Sequence, residues 1–321
     1  MSIHIINGDC RDVLPTLGAG SVQCCVTSPP YFGLRDYGVD GQIGLEATPD
    51  AYVAEMVAVF REVRRALADD GVLWLNLGDS YASSPPGNKT VGVSAKSGLN
   101  GVNGSSGKYR ETLAAGTATK RDTSKLDGIK PKDLLGIPWL VAFALRADGW
   151  YLRSDVIWHK PNPMPESVTD RPTSAHEHVF LLTKSARYFY DADAIREENT
   201  SDRAPSRKAK KTGAGHAELR TGSAYDGEGE DRNARNVWSI STQPYAGSHF
   251  ATMPAALADR CIRAGSRVGD VILDPFGGAG TTGLVADRLN RNALLIELNP
   301  AYRTLAAERL TGDCPMFAEV A

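Results

Sequence analysis

The chain has 321 residues, 42% of them hydrophobic and 23% charged. That is the composition of a water-soluble globular protein with one large domain or two modest ones. A net charge of −2 excludes a global attraction to polyanions, so any nucleic-acid binding must rest on a local basic surface. The apolar runs fall short of the roughly 18 residues a membrane span needs, and the five cysteines form no Cys-x-x-Cys pair, which argues against a zinc or disulfide framework.

In chain order, Ile3 to Ile6 reads as a short strand, and a start without a basic, signal-length apolar segment predicts a cytoplasmic protein. Asn7-Gly8-Asp9 ends the strand, with Asp9 as the N-cap of a helix from Arg11 to Leu17. Val22 to Val26 is a buried strand that runs into Thr27-Ser28-Pro29-Pro30-Tyr31-Phe32. Each proline fixes φ near about −65° and removes an N–H, and the residue before each is pushed to an extended conformation. The backbone is therefore predicted to leave the strand as a stiff arm with unpaired carbonyls. Those carbonyls and the Ser28 hydroxyl can accept hydrogen bonds from a planar NH2 group, and the Tyr31 ring can stack on a flat heterocycle. Such a site suits the exocyclic amine of a nucleobase taken out of its helix.

A loop from Phe32 to Gly38 carries Arg35. Thr48 and Pro49 announce a helix, along which Tyr52, Met56, Val59, Phe60, Val63 and Leu67 recur at helical spacing. Asp69-Asp70-Gly71 is expected to stop it before a strand over Val72–Leu77. Strands alternating with helices predict an α/β fold with a mainly parallel, doubly wound sheet.

From 83 to 130 this pattern gives way to Gly, Ser, Asn and Thr, with an excess of five positive charges that includes Lys89, Lys108, Arg110, Lys120 and Arg121. A loop of this length is functional or disordered: either a solvated insertion or a basic loop that orders on a phosphate backbone. The spacing next predicts a helix over Lys132–Ala147, kinked or started late by Pro138, with Leu134, Trp139, Val141 and Leu145 on its apolar side. Two strands follow, Asp155–His159 and His178–Thr183. His176-Glu177-His178 puts two imidazoles on one strand face, but no third metal ligand is near in sequence, so a structural role is expected and no metal. A second irregular stretch, 197–235, clusters Arg207, Lys208, Lys210 and Lys211 ahead of an acidic patch. Two basic insertions in one α/β pattern favour a polyanionic partner. The catalytic domain is then 1–82, 131–196 and 236–321, with 83–130 and 197–235 as candidate target-recognition elements.

Ser248 to Pro254, including His249, leads into a helix over Ala255–Ala264 that Gly265 stops. A strand over Asp270–Leu273 then meets Asp274-Pro275-Phe276-Gly277-Gly278-Ala279-Gly280-Thr281-Thr282-Gly283, and a helix over Leu284–Leu289 follows. Gly278, Gly280 and Gly283 have the G-x-G-x-x-G spacing, which lets a ligand approach the backbone. Glu297, at the tip of the next strand, Ala293–Ile296, can accept both hydroxyls of a ribose. A dinucleotide oxidoreductase is the rival reading, but that fingerprint normally opens its fold, whereas here it comes near the end. The sheet must then be circularly permuted, with Ile3–Ile6 beside Ala293–Ile296 and the Pro-Pro strand on the other side of the glycine strand. Asp9, Glu297 and the arm should meet at the carboxyl ends of the strands.

With both motifs in this order, the chain resembles an S-adenosylmethionine-dependent DNA amino-methyltransferase of the beta arrangement. The resemblance implies a circularly permuted Rossmann-like fold, mainly parallel with one antiparallel strand. It implies S-adenosyl-L-methionine as cofactor and double-stranded DNA as partner. A homodimer and a cognate restriction endonuclease are further partners it allows, in a bacterium, an archaeon or a phage host. It assigns Ser28, Pro29, Pro30 and Tyr31 to catalysis. It assigns Asp9, Thr27, His249, Pro254, Asp274, Phe276, Gly278, Gly280, Thr281, Thr282 and Glu297 to the cofactor. Ser at the first motif position points to cytosine N4 as the methylated atom, with adenine N6 as the alternative. Cys24 and Cys25 lie inside the strand and are read as core. No catalytic position is broken, which weighs against a non-enzymatic DNA-binding role.

Overall fold

The alternation of apolar runs and amphipathic segments resolves into one large sheet in the computed structural model, which describes residues 1–34, 36–83, 123, 126, 128–198, 231–243, 253–313 and 319–320. The strands are β1 (Ser2–Asn7), β2 (Val22–Thr27), β3 (Leu67–Leu77), β4 (Tyr151–His159), β5 (His176–Thr183), β6 (Glu197–Glu198), β7 (Asp231–Arg232), β8 (Val237–Ser239), β9 (Val271–Asp274), β10 (Asn292–Glu297) and β11 (Glu319–Val320). Across the sheet they run β11-β1-β10-β9-β2-β3-β5-β4-β8, while β6 and β7 pair separately. β5 is antiparallel to both neighbours, and the other pairings of the large sheet are parallel.

The permuted order is the expected one. Ile3 lies opposite Ala293 and Ile6 opposite Ile296, while Cys24 and Cys25 of β2 face Ile272 and Leu273 of β9. The loops after β1, β2, β9 and β10 therefore emerge side by side at one end of the sheet.

Helices cover both faces. α1 (Cys10–Val13), α2 (Pro49–Ala66) and α3 (Ile137–Ala147) build one core, around Tyr52, Met56, Phe60, Leu73, Val141 and Leu145. α4 (Ala255–Gly265), α5 (Thr281–Arg288) and α6 (Pro300–Asp313) build the other, around Trp74, Trp238, Leu257, Ile262, Leu284 and Leu310. The α2 signals act as read: the Thr48 hydroxyl accepts from the Ala51 N–H and Pro49 occupies the first turn, and the six apolar positions are buried. Gly265 contributes through close packing, because a Cβ there would lie 2.8 Å from both Cys24 Sγ and Val72 Cγ2.

Several boundaries differ from the sequence reading. The helix after Asp9 ends at Val13 and gives way to a 3-10 turn, Leu14–Thr16, at Pro15, which has no N–H to continue the ladder. Asp69-Asp70-Gly71 lies within β3, where the pairing with β2 shifts register. Gly71 is required there because a Cβ would meet the Ala68 carbonyl at 2.9 Å and the Gln23 carbonyl at 3.0 Å. α3 starts late, at Ile137, with Pro138 in its first turn, and Leu134 and Trp139 are 54% and 37% exposed rather than core. The glycine-loop helix begins at Thr281, three residues earlier than read.

Arg35, Lys89, Lys108, Arg110, Lys120, Arg121, Arg207, Lys208, Lys210 and Lys211 lie outside the described residues, as does His249. The stems of the two basic stretches are described. Ala82 and Asp133 share a backbone bond of 2.8 Å beside a Tyr81–Leu134 bridge. At the other stem β6 pairs with β7, and Glu197 forms ion pairs with Arg232, Arg235 and Arg260.

Candidate active site

The strand-end loops enclose a cavity of about 930 Å³ lined by Asp9, Ser28, Pro29, Pro30, Tyr31, Asn76, Lys160, Glu177, Asp274, Phe276, Gly278, Thr281, Thr282 and Glu297. Two motifs separated by some 240 positions in the chain thus share one space.

Asp274 joins them. Its carboxylate, 4% exposed, accepts the Thr27 hydroxyl at 2.6 Å, the Thr282 hydroxyl at 2.7 Å and the Phe276 N–H at 3.1 Å. Burial pushes the carboxyl up from its ordinary range, against the pull of these three donors. Thr27 is fully buried and is not among the cavity-lining residues, so it acts by locking the base of the arm to the glycine loop. The glycine spacing also divides its work. Gly278, at φ 51°, lines the cavity. Gly280, at φ 75°, turns the chain into α5 beneath Ala306, and a Cβ on Gly283 would strike Leu295 at 2.9 Å. Those two glycines serve the turn and the helix–sheet packing rather than the cavity wall.

Glu297 closes the far side. One oxygen accepts the Gly278 N–H at 2.8 Å and the other the Asn299 N–H at 2.7 Å. Each oxygen keeps a further lone pair for an incoming hydroxyl. Burial raises this carboxyl, while the two N–H donors work the other way. Asp9 caps α1 through the Arg11 N–H at 2.8 Å and holds the Arg11 guanidinium at 2.6 Å. Its burial acts to raise the carboxyl, but Arg11 outweighs it and keeps it below the usual range. Pro254 is buried at the start of α4, and its neighbour Met253 lines the cavity instead.

On the arm, the expectation of unpaired carbonyls is corrected at two positions. The Pro30 carbonyl accepts the Tyr52 hydroxyl at 2.9 Å, and the Tyr31 carbonyl accepts the Leu34 N–H at 3.3 Å. The Pro29 carbonyl takes no hydrogen bond from any described residue. The Tyr31 ring rests on Gly78, where a Cβ would come within 2.6 Å of the ring. Cys24 and Cys25 are fully buried, and burial pushes both thiols well above their ordinary range, as core residues require.

Sequence reasoning missed one side of the cavity. Asn76 Nδ2 lies 3.0 Å from both Tyr31 Oη and Glu177 Oε2. Tyr31 Oη donates to Glu177 at 2.6 Å, and Lys160 pairs with the other Glu177 oxygen while lying over the Trp158 ring. Asn76 Oδ1 is buried with no partner among the described residues, an arrangement that costs about 1–3 kcal/mol unless a donor arrives. The one sequence signal was His176-Glu177-His178, read for its histidines. His178 instead pairs with Asp155 at 2.9 Å.

The lone pairs left free on Glu297 suit the hydroxyls of a ribose-bearing ligand.

A family model described as DNA methylase matches residues 22–308. The chain is 45% identical over 309 residues to the Type II methyltransferase M.Cfr9I of Citrobacter freundii, covering 96% of this chain and 88% of that one. It is 44% identical to the Type II methyltransferase M.SmaI of Serratia marcescens, over 96% and 91% of the two chains. Among solved structures, a Thermus thermophilus protein described as a DNA modification methylase, complexed with S-adenosyl-L-methionine, superposes with a TM-score of 0.61 at 25% identity, over 100% of this chain and 98% of that one. The cytosine-N4-specific PvuII DNA methyltransferase also superposes with a TM-score of 0.61, at 18% identity over 96% and 87% of the chains, a likeness of fold.

Proposed function

The chain belongs to the N6/N4 family of DNA methylases, and from that premise we propose that it transfers a methyl group from S-adenosyl-L-methionine to the N4 amine of a cytosine flipped out of double-stranded DNA. The observation that carries this reading is the shared cavity: the Ser28-Pro29-Pro30-Tyr31 arm and the Asp274–Glu297 cradle open onto one space.

When bound, S-adenosyl-L-methionine supplies an electrophilic methyl group on a sulfonium. Glu297 would hold the ribose hydroxyls with the lone pairs its backbone donors leave free. Asp9, Phe276 and Gly278 would frame the rest of the nucleoside. Asp274 and Thr27 hold the glycine loop and the arm at a fixed separation, and a methyl transfer that needs in-line approach depends on such positioning. The exocyclic amine is a weak nucleophile because its lone pair is delocalised into the ring. The Ser28 hydroxyl and the Pro29 carbonyl would accept its hydrogens and favour a pyramidal nitrogen in the transition state. Tyr31 would stack on the flipped base, an interaction worth about 1–3 kcal/mol. Both irregular stretches are proposed to contact DNA, 83–130 through its excess of positive charge and 197–235 through Arg207, Lys208, Lys210 and Lys211. A restriction endonuclease partner is suggested by the relatives' designation as Type II methyltransferases.

Serine at the head of the arm supports cytosine N4 over adenine N6. Mass spectrometry of nucleosides from unmodified DNA incubated with the protein and S-adenosyl-L-methionine tests this. N4-methylcytosine is expected. N6-methyladenine would keep the fold and cofactor but overturn the base assignment. No methylated base on unmodified DNA of whole-genome complexity, from a sample that binds S-adenosyl-L-methionine, would overturn the reading.

A further inference from the structure

Methyl transfer leaves a positive charge on the exocyclic nitrogen, and a proton must go. Ser28, the residue proposed to face that amine, has its Oγ 3.4 Å from Tyr31 Oη, positioned to donate to it. Tyr31 Oη in turn donates to Glu177 Oε2 at 2.6 Å. Apo active-site bonds are often long and tighten in the working complex, so the first contact is compatible with a relay and the second is already short. Asn76 Nδ2 braces the junction at 3.0 Å from both Tyr31 Oη and Glu177 Oε2. Lys160 fixes the remaining Glu177 oxygen. Burial, with Glu177 alongside, pushes the Tyr31 phenol well above its ordinary range, so it serves as a neutral O–H donor.

We propose that Glu177 is the terminal proton acceptor of the reaction, reached from the target amine through the Ser28 and Tyr31 hydroxyls. The inference rests on the methyltransferase reading. In the step, the amine lone pair forms the N–C bond as the C–S bond breaks and its electron pair goes to sulfur. The surplus proton passes from nitrogen to Ser28 Oγ, the Ser28 proton to Tyr31 Oη, and the Tyr31 proton to Glu177. Both hydroxyls end neutral, and the carboxylate becomes a carboxylic acid. Glu177, with 14% of its side chain exposed, then releases the proton to solvent. In this route Glu177 acts through Tyr31 and Ser28.

The test is a single-turnover methylation assay with saturating S-adenosyl-L-methionine and a DNA substrate that the wild-type protein methylates. Failure of the wild type would count against the methyltransferase reading, and only variant-to-wild-type ratios bear on the relay. Glu177→Gln still accepts a bond from Tyr31 but takes no proton, and its rate is expected to fall by about 100-fold or more with cofactor affinity unchanged. Tyr31→Phe keeps the ring and breaks the route, and a comparable fall is expected. In Glu177→Ala, added formate at constant ionic strength is expected to restore rate in proportion to its concentration. Either Glu177→Gln or Tyr31→Phe retaining a rate within about threefold of wild type would overturn the proposal. A defect that saturating DNA repairs and formate does not would overturn it too, because that is the signature of mere positioning of the ring.

Discussion

Substituting Glu297 by Gln tests the cofactor cradle most sharply. The wild-type carboxylate accepts from two backbone N–H groups at once, Gly278 at 2.8 Å and Asn299 at 2.7 Å. A glutamine has one carbonyl oxygen and an NH2 group, so one backbone N–H keeps an acceptor and the other faces a donor. At least one charge-assisted bond is lost, worth about 1.5–3 kcal/mol. Because Gly278 shapes the loop that lines the cavity, most of that loss should appear in cofactor binding, as a roughly 10- to 150-fold weaker Kd. Isothermal titration with S-adenosyl-L-methionine measures it directly. The variant also has a pH signature. The Glu297 carboxyl is raised in the folded state above its unfolded value of 4.5. Between those two values the native state binds more protons, so this group's contribution to stability is greatest at acid pH and falls as pH rises through the raised native value. Glutamine removes that slope. A variant that binds cofactor within about twofold of wild type, with an unchanged pH dependence of melting, would refute the reasoning.

Three further outcomes are expected. Ser28→Ala should lower turnover by about 10²-fold or more while leaving the cofactor titration unchanged, since Ser28 lies on the arm and not in the Glu297 cradle; loss of cofactor affinity would contradict that division. Tyr52→Phe removes the bond to the Pro30 carbonyl, so about 0.5–1.5 kcal/mol of stability should go, read by denaturant unfolding, with a lower kcat from a looser arm. Gly265→Ala forces a methyl group to within 2.8 Å of Cys24 and Val72, and the unfolding midpoint should report a loss of about 1–3 kcal/mol; a neutral result would mean that α4 slides without cost.

Much of the fold was legible because its signals are local. Thr48 and Pro49 start a helix wherever they precede an amphipathic run. Two prolines after an apolar strand stop both helix and ladder whatever surrounds them. The order of the two motifs, with the Pro-Pro arm ahead of the glycine loop, pointed to a permuted fold in which β1 lies beside β10. That order also required the Ser28 arm and the Glu297 carboxylate to share one end of the sheet.

What the sequence could not determine depends on register and on who partners whom. The Pro30 carbonyl is taken by a phenol 22 residues away on α2, and no local rule predicts a tertiary donor. Asp69-Asp70-Gly71 reads as a stop, yet β3 absorbs it as a register shift because the neighbouring β2 supplies a ladder. Glu177 carries no signal of its own in the chain. It reaches Tyr31 because β5 runs antiparallel between β3 and β4, with His178 opposite Leu77 and Glu177 opposite Trp158. That pairing sets the Glu177 carboxylate on β5, the Asn76 amide on β3 and Lys160, just past the end of β4, around the arm from positions far apart in the chain. Backbone stiffness and apolar periodicity belong to short stretches and can be read there; hydrogen-bond partners belong to the packed sheet and exist only once it forms.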